Sequence, residues 1–178
     1  MRDLALRSVL AGLALIASVQ ARAAVDLPDS LKPVAQDYRL LGSGRMTWFG
    51  LQLYDVALWT PARRFDPEQP FALALRYLRG FKGERIAERS VVEIERLGLG
   101  DPARRARWGE AMKAIFPDVQ PGDTLTGVYL PGKGAQFFHR DLAIGTIDDP
   151  EFARAFFAIW LDERTREPKL RARLIGNR

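Results

Sequence analysis

Residues 40–61, LLGSGRMTWFGLQLYDVALWTP, decide how this chain is read. They predict two extended segments joined by a tight turn. Leu51, Leu53, Ala57 and Trp59 alternate with Gln52, Tyr54, Val56 and Leu58, a period of two with only Asp55 out of step on the first face. Gly42 and Gly44 stand just before Arg45, and glycine inside a strand marks a bulge or the close approach of another backbone or a ligand. Arg45 and Tyr54 are the polar groups such an apolar ribbon could turn inward. The plain alternative is a hairpin with Arg45 on a wet edge and Tyr54 as half-buried filler.

Upstream of this ribbon, Arg2 and Arg7 flank a charged start, residues 9–19 form an apolar run, and Ala21-Arg22-Ala23 offers the small-x-small pattern of signal peptidase sites. Residues 1–23 are therefore expected to be a cleaved signal peptide, with residues 24–178 as one domain. The run is shorter than the roughly 20 apolar residues a transmembrane helix needs, so no stable membrane insertion is expected after cleavage. No cysteine follows it to carry a lipid, and the mature protein is expected in the periplasm. The chain has no cysteine at all, which excludes disulfides, thiol catalysis and thiolate metal sites. Loss of the leader takes 27 basic and 22 acidic residues to 24 and 21, a net charge of +3 in place of +5. The remaining charges are interleaved, as in ERIAERSVVEIER, which is a solvated mixed surface and not a nucleic-acid stripe.

Residues 25–32 read as a loose lead-in. Downstream of the ribbon, residues 71–78 alternate again as a third strand. From Glu84 the period becomes helical, with Ile86, Ser90, Ile94 and Leu97 on one stripe and Arg85, Glu88, Arg89, Glu93 and Arg96 on other faces; Gly98 ends it. Asp101-Pro102 and Asp149-Pro150 each supply an N-cap and a first-turn proline for a further helix. Between them, residues 124–130, 135–138 and 142–147 extend the sheet, and residues 167–174 predict a short last helix. The expected fold class is α+β, an antiparallel sheet with helices gathered on one side.

Catalytic signatures are missing. The chain has no phosphate loop followed by lysine, no serine elbow and no histidine pair for zinc. GSGR leads into a strand, and PGKG reads as a hairpin turn. The carboxylate pairs Asp148-Asp149 and Asp162-Glu163 sit at helix boundaries, where capping accounts for them. His139, the single histidine, falls in a predicted turn beside Arg140 and Asp141.

GSGR followed by WFGLQLYDVALW, then FKGERIAERSVVEIERLG, GDTLTGVYLPGKGAQFFHRDLAIGTI and DPEFARAFFAIWLD, resembles in order and spacing the chalcone isomerase-like proteins, in the branch secreted by Gram-negative bacteria. The resemblance runs over about residues 38–174 and implies fold more strongly than activity. It implies a role for Arg45, which matches a glycine-flanked arginine that binds the substrate oxyanion in the plant enzymes. Tyr54 corresponds to the polar residue that assists it from the next strand. Fatty-acid-binding relatives use such a pair to hold a carboxylate. The tyrosine and asparagine that handle the ketone end in the plant enzymes fall at Lys82 and Arg89 here, so chalcone cyclisation is not expected. Some mitochondrial relatives are thought to bind haem, which makes His139 the one residue to consider as an iron ligand; no cofactor is expected.

The leading expectation is a periplasmic, non-catalytic domain that binds a small hydrophobic carboxylate such as a fatty acid, with Arg45 as anchor and Tyr54 as hydrogen-bond partner. An isomerase (intramolecular lyase) acting on an unknown substrate is the second. A pocketless envelope interaction protein, its cleft filled by Trp48, Phe49 and Trp59, is the third.

Overall fold

The computed structural model describes residues 25–177; the predicted signal peptide and the Ala21-Arg22-Ala23 site lie outside the described residues. The quoted ribbon is a hairpin of β1 (Arg39–Trp48) and β2 (Leu51–Thr60). Phe49 and Gly50 make its turn with φ of +45° and +78°, the left-handed pair whose twist suits a two-residue connection. Beyond the turn Trp48 faces Leu51 and Thr47 faces Gln52. The register then shifts, leaving Leu53 as an extra residue, and continues as Met46 to Tyr54 and Arg45 to Asp55. A slip of one residue turns side chains over. Gln52 consequently joins Asp55 on one face, where the simple alternation sets it with Tyr54.

The sheet continues through β3 (Phe71–Tyr77), β4 (Thr124–Leu130), β5 (Gly134–His139) and β6 (Leu142–Ile147), with strand order equal to sequence order and every pairing antiparallel. Helices α1 (Gly83–Arg96) and α2 (Pro102–Ile115) lie in the connection between β3 and β4, and α3 (Pro150–Leu161) and α4 (Pro168–Leu174) follow the last strand. Both predicted cap-and-proline starts are present: the Asp101 carboxylate accepts from the Arg104 N–H, and that of Asp149 from the Glu151 and Phe152 N–H groups. Helix α3 packs on β4 and β5, and α4 on β1. This is the expected α+β layering. Phe137, Phe152, Leu58, Leu73, Ile94 and Met112 are the largest fully buried side chains of the core. No helix among the described residues is long and apolar enough to cross a membrane.

Two features refine the sequence reading. Residues 25–32, expected to be a loose lead-in, form together with residues 33–38 a strap over the other face of the sheet. Val25 packs with Ala57 and Ala74, and Leu27, Leu31 and Ala35 pack with Ala72, Val128 and Phe138. The Trp59 Nε1 donates to the Val25 carbonyl at 2.9 Å, which pins the strap to β2. The glycines of β1 also have a definite cause. A Cβ on Gly42 would stand 2.0 Å from the Arg173 carbonyl oxygen, and one on Gly44 2.5 Å from Leu170 Cδ1. The glycines admit α4 and not a ligand. Gly42→Ala must push backbone against backbone, and is expected to cost about 1–3 kcal/mol in a urea melt. An unchanged midpoint would mean that α4 does not dock there.

Candidate functional site

Between the sheet and α1, α3 and α4 lies a cavity of about 410 Å³. Its apolar wall includes Met46, Leu73, Leu125, Phe137, Phe156 and Leu170. Glycine at position 127 helps keep it open, since a Cβ there would already meet Phe157 and Phe137 at 3.1–3.2 Å. The expected filling of this cleft by Trp48, Phe49 and Trp59 does not occur. Trp48 only borders the cavity, Phe49 projects into solvent, and Trp59 lies on the strap face. The pocketless reading is thereby overturned.

Tyr54 lines the cavity. Its hydroxyl accepts from Trp160 Nε1 at 3.0 Å, and its own proton remains available to donate. Burial pushes its pKa up to about 12, against the hydrogen bond from Trp160, while the charges of Glu167, Glu93 and Arg89 are close enough to act on it. Tyr77 packs edge-on against it with ring centroids 5.9 Å apart, and burial, with Tyr54 adding, pushes its pKa up as well. Both hydroxyls are neutral donors at any ordinary pH. The Ser90 and Thr165 hydroxyls on the same wall are used by the backbone, donating to the Ile86 and Ile159 carbonyls.

Arg45 does not share this wall. The shift at Leu53 is the reason: an unbroken ladder from the Phe49-Gly50 turn would set Arg45 opposite Tyr54, whereas the observed register sets it opposite Asp55. Arg45 grips Asp55 with two bonds, Nε at 2.5 Å and Nη2 at 2.7 Å, and its third nitrogen bonds the Gln52 amide oxygen. Arg76 adds a further contact to the Asp55 carboxylate at 3.3 Å. The Arg45 fork holds the Asp55 carboxyl below its ordinary range; burial opposes this and Arg76 assists. The expected anion anchor is thus a structural clamp, already filled by the protein's own carboxylate.

The charged end of the cavity comes from elsewhere. Arg85, Arg89, Glu93, Arg166 and Glu167 line it. Glu93, expected on a solvated helix face, is 7% exposed. It accepts from Arg89 at 2.5 Å, Arg96 at 2.8 Å and Arg166 at 3.1 Å. Burial works against its ionisation, yet the three arginines outweigh burial and hold its carboxyl below the usual range. A carboxylate so stabilised is a weak base. Arg89 and Arg166 both line the cavity and are about half exposed, at 55% and 44%. A helical repeat makes Glu93 legible: Ile86, Ser90, Glu93 and Leu97 step by four, three and four along one stripe.

The remaining residues singled out in the sequence lie apart from the cavity. Lys82 stands just before α1 and pairs with Asp118 at 2.6 Å on the surface. His139 ends β5 with its Nε2 3.4 Å from Asp123, whose carboxylate is also held by Arg140 and the Gln120 N–H. It is not among the residues lining the cavity. Among the described residues no group of three or more acidic or histidine side chains is placed to hold a metal ion.

The chain and its fold have counterparts. A family model described as chalcone isomerase-like matches residues 19–176. An uncharacterised protein of Haemophilus influenzae is 31% identical over 137 residues, which is 76% of this chain and 67% of that protein. The crystal structure of a fatty-acid binding protein of Arabidopsis thaliana superimposes with a TM-score of 0.60 at 13% identity, over 86% of this chain and 90% of that one. At that identity the superposition speaks for the fold alone.

Proposed function

The chain belongs to the chalcone isomerase-like family, and on that premise we propose that it binds a small hydrophobic carboxylate, with a fatty acid as the best candidate, and does not transform it. The reading also keeps the periplasm as its place of work, on the strength of the signal-peptide pattern expected at residues 1–23. One observation carries the proposal: a mostly apolar cavity of about 410 Å³ that ends in arginines and a tyrosine hydroxyl. The volume lies within the roughly 300–1,000 Å³ of small-molecule sites.

The acyl tail belongs among Leu125, Phe137 and Phe156, where each methylene withdrawn from water contributes about 0.8 kcal/mol before entropy costs. The carboxylate belongs at the charged end. There Arg89 or Arg166 offers a planar fork, and Tyr54 adds a neutral donor. Tyr54 therefore keeps its proposed role as hydrogen-bond partner, and the anchor moves from β1 to the helical side. Isomerase chemistry finds less support: of the two carboxylates on the wall, Glu93 is tied up by three arginines and is a weak base, and both tyrosines are weak acids.

Dodecanoate is expected to raise the melting temperature of the mature protein, since ligand at 100 times Kd adds about 2.7 kcal/mol. Its methyl ester is expected to do far less. Arg89→Gln is expected to weaken dodecanoate about tenfold, roughly 1.4 kcal/mol for one partly exposed charge-assisted bond. Equal responses to acid and ester would remove the carboxylate from the proposal. No response to any chain length from octanoate to hexadecanoate would sink it.

A further inference from the structure

The geometry points to the β1–β2 hairpin tip as a membrane-docking element that holds the cavity mouth against a bilayer containing anionic phospholipid. Phe49 is 90% exposed and adopts φ +45°, so one residue carries two separate costs. An exposed aromatic ring orders water around it. A bulky side chain in the left-handed region is an outlier at a turn position that Asn or Gly fills without strain. Either replacement would relieve both costs while leaving the turn in place.

The ring does not stand alone. Trp48 (39% exposed), Phe49 and Leu51 (48%) are three of the seven exposed large apolar side chains among the described residues, and they surround one turn. Trp48 and Phe49 touch edge-on with centroids 5.1 Å apart. Trp48 faces Leu51 directly across the ladder, so both project to the cavity side of the sheet. The Arg89 guanidinium lies 5.7 Å over the Trp48 ring. Arg85 stands one turn earlier on α1, and Val92, 45% exposed, one turn later. Glu88 and Glu93 pair with these two arginines. Arg85 remains 76% and Arg89 55% exposed, leaving N–H groups free to meet phosphate.

A projecting aromatic pair flanked by arginines matches a bilayer interface. Tryptophan favours the headgroup level, phenylalanine enters the acyl boundary, and guanidinium groups meet anionic headgroups. Trp48 also borders the cavity, so docking would set the mouth onto the lipid phase. The docking surface stands on the tip itself. Its use for loading the cavity rests on the ligand reading above.

Co-sedimentation of the mature protein with phosphatidylcholine vesicles, with and without phosphatidylglycerol, tests this. The wild type is expected to bind the anionic vesicles, with Trp48 fluorescence moving to shorter wavelength. Phe49→Asp is expected to weaken that binding at least tenfold while keeping the wild-type melting temperature and dodecanoate affinity in solution. Asp tolerates the left-handed backbone, and Leu51→Asp serves as a second variant of the same surface. A wild type that ignores anionic vesicles, or binding that survives both substitutions, overturns the proposal. So does a dimer that Phe49→Asp splits, since the tip would then seat a second copy. Vesicle binding without any dodecanoate binding would uphold the docking surface and remove the ligand reading. Dodecanoate binding without vesicle binding would do the reverse.

Discussion

Arg45→Ala is expected to lower the stability of the folded chain by about 3 kcal/mol and to leave the dodecanoate affinity of the folded molecules unchanged. Its bidentate bond to Asp55 is largely shielded, the two side chains being 13% and 11% exposed. Removing the arginine leaves a buried carboxylate with Arg76 as its remaining cation. For a chain of this size the loss corresponds to a fall in Tm of roughly 6–12 °C. The double substitution Arg45→Met with Asp55→Leu removes both charges and is expected to recover much of it. The pH dependence carries a definite sign. Because the Asp55 carboxyl is held below its ordinary range, the contribution of the pair is complete above the unfolded carboxylate pKa and fades as pH falls through the folded value. Wild type and Arg45→Ala are therefore expected to converge in acid. A variant with unchanged Tm and lost dodecanoate binding would return Arg45 to the ligand site.

Ser90→Trp is the matching test of the cavity. Ser90 is 6% exposed, faces the cavity from α1, and donates only to the Ile86 carbonyl of its own helix. An indole at that position enters space now empty. Displacing three or four methylenes of an acyl tail forfeits about 3 kcal/mol, on the order of a hundredfold in affinity. Stability is expected to change far less, because the new ring fills a void instead of overpacking a filled core. Unaltered titration of the variant with dodecanoate would show that the tail lies elsewhere.

The outline of the fold was legible because its signals are local. The alternation in the hairpin, the helical stripe from Ile86 to Leu97, and the Asp-Pro starts at 101 and 149 each reside within a few consecutive residues. The site was legible only in part. Tyr54 could be picked out as a polar residue on an apolar ribbon, but the face of Arg45 depends on the extra residue at Leu53. No residue type announces a bulge of that kind, and a single slip reverses the answer. Glu93 lay on a readable stripe, but its charge argued for solvent, and the third arginine that compensates it, Arg166, comes from far along the chain. The strap at residues 25–38 was hidden for a similar reason, since its prolines read as punctuation while its partners Ala72, Val128 and Phe138 lie across the sheet.

The pairing of β3 with β4 closes a loop of roughly 45 residues that contains α1 and α2, at a chain-entropy cost of about 3 kcal/mol, whereas the other ladders close over tight turns or, between β2 and β3, a much shorter loop. The sheet thus has one long-range seam, and the cavity straddles it: Met46 and Tyr54 come from before the seam, Phe137 and Trp160 from after it. Neither half of the chain contains a binding site of its own. A bound ligand consequently ties together residues from both sides of that long-range junction. It should raise the denaturation midpoint reported by a probe in β1 and by one in β5 by equal amounts.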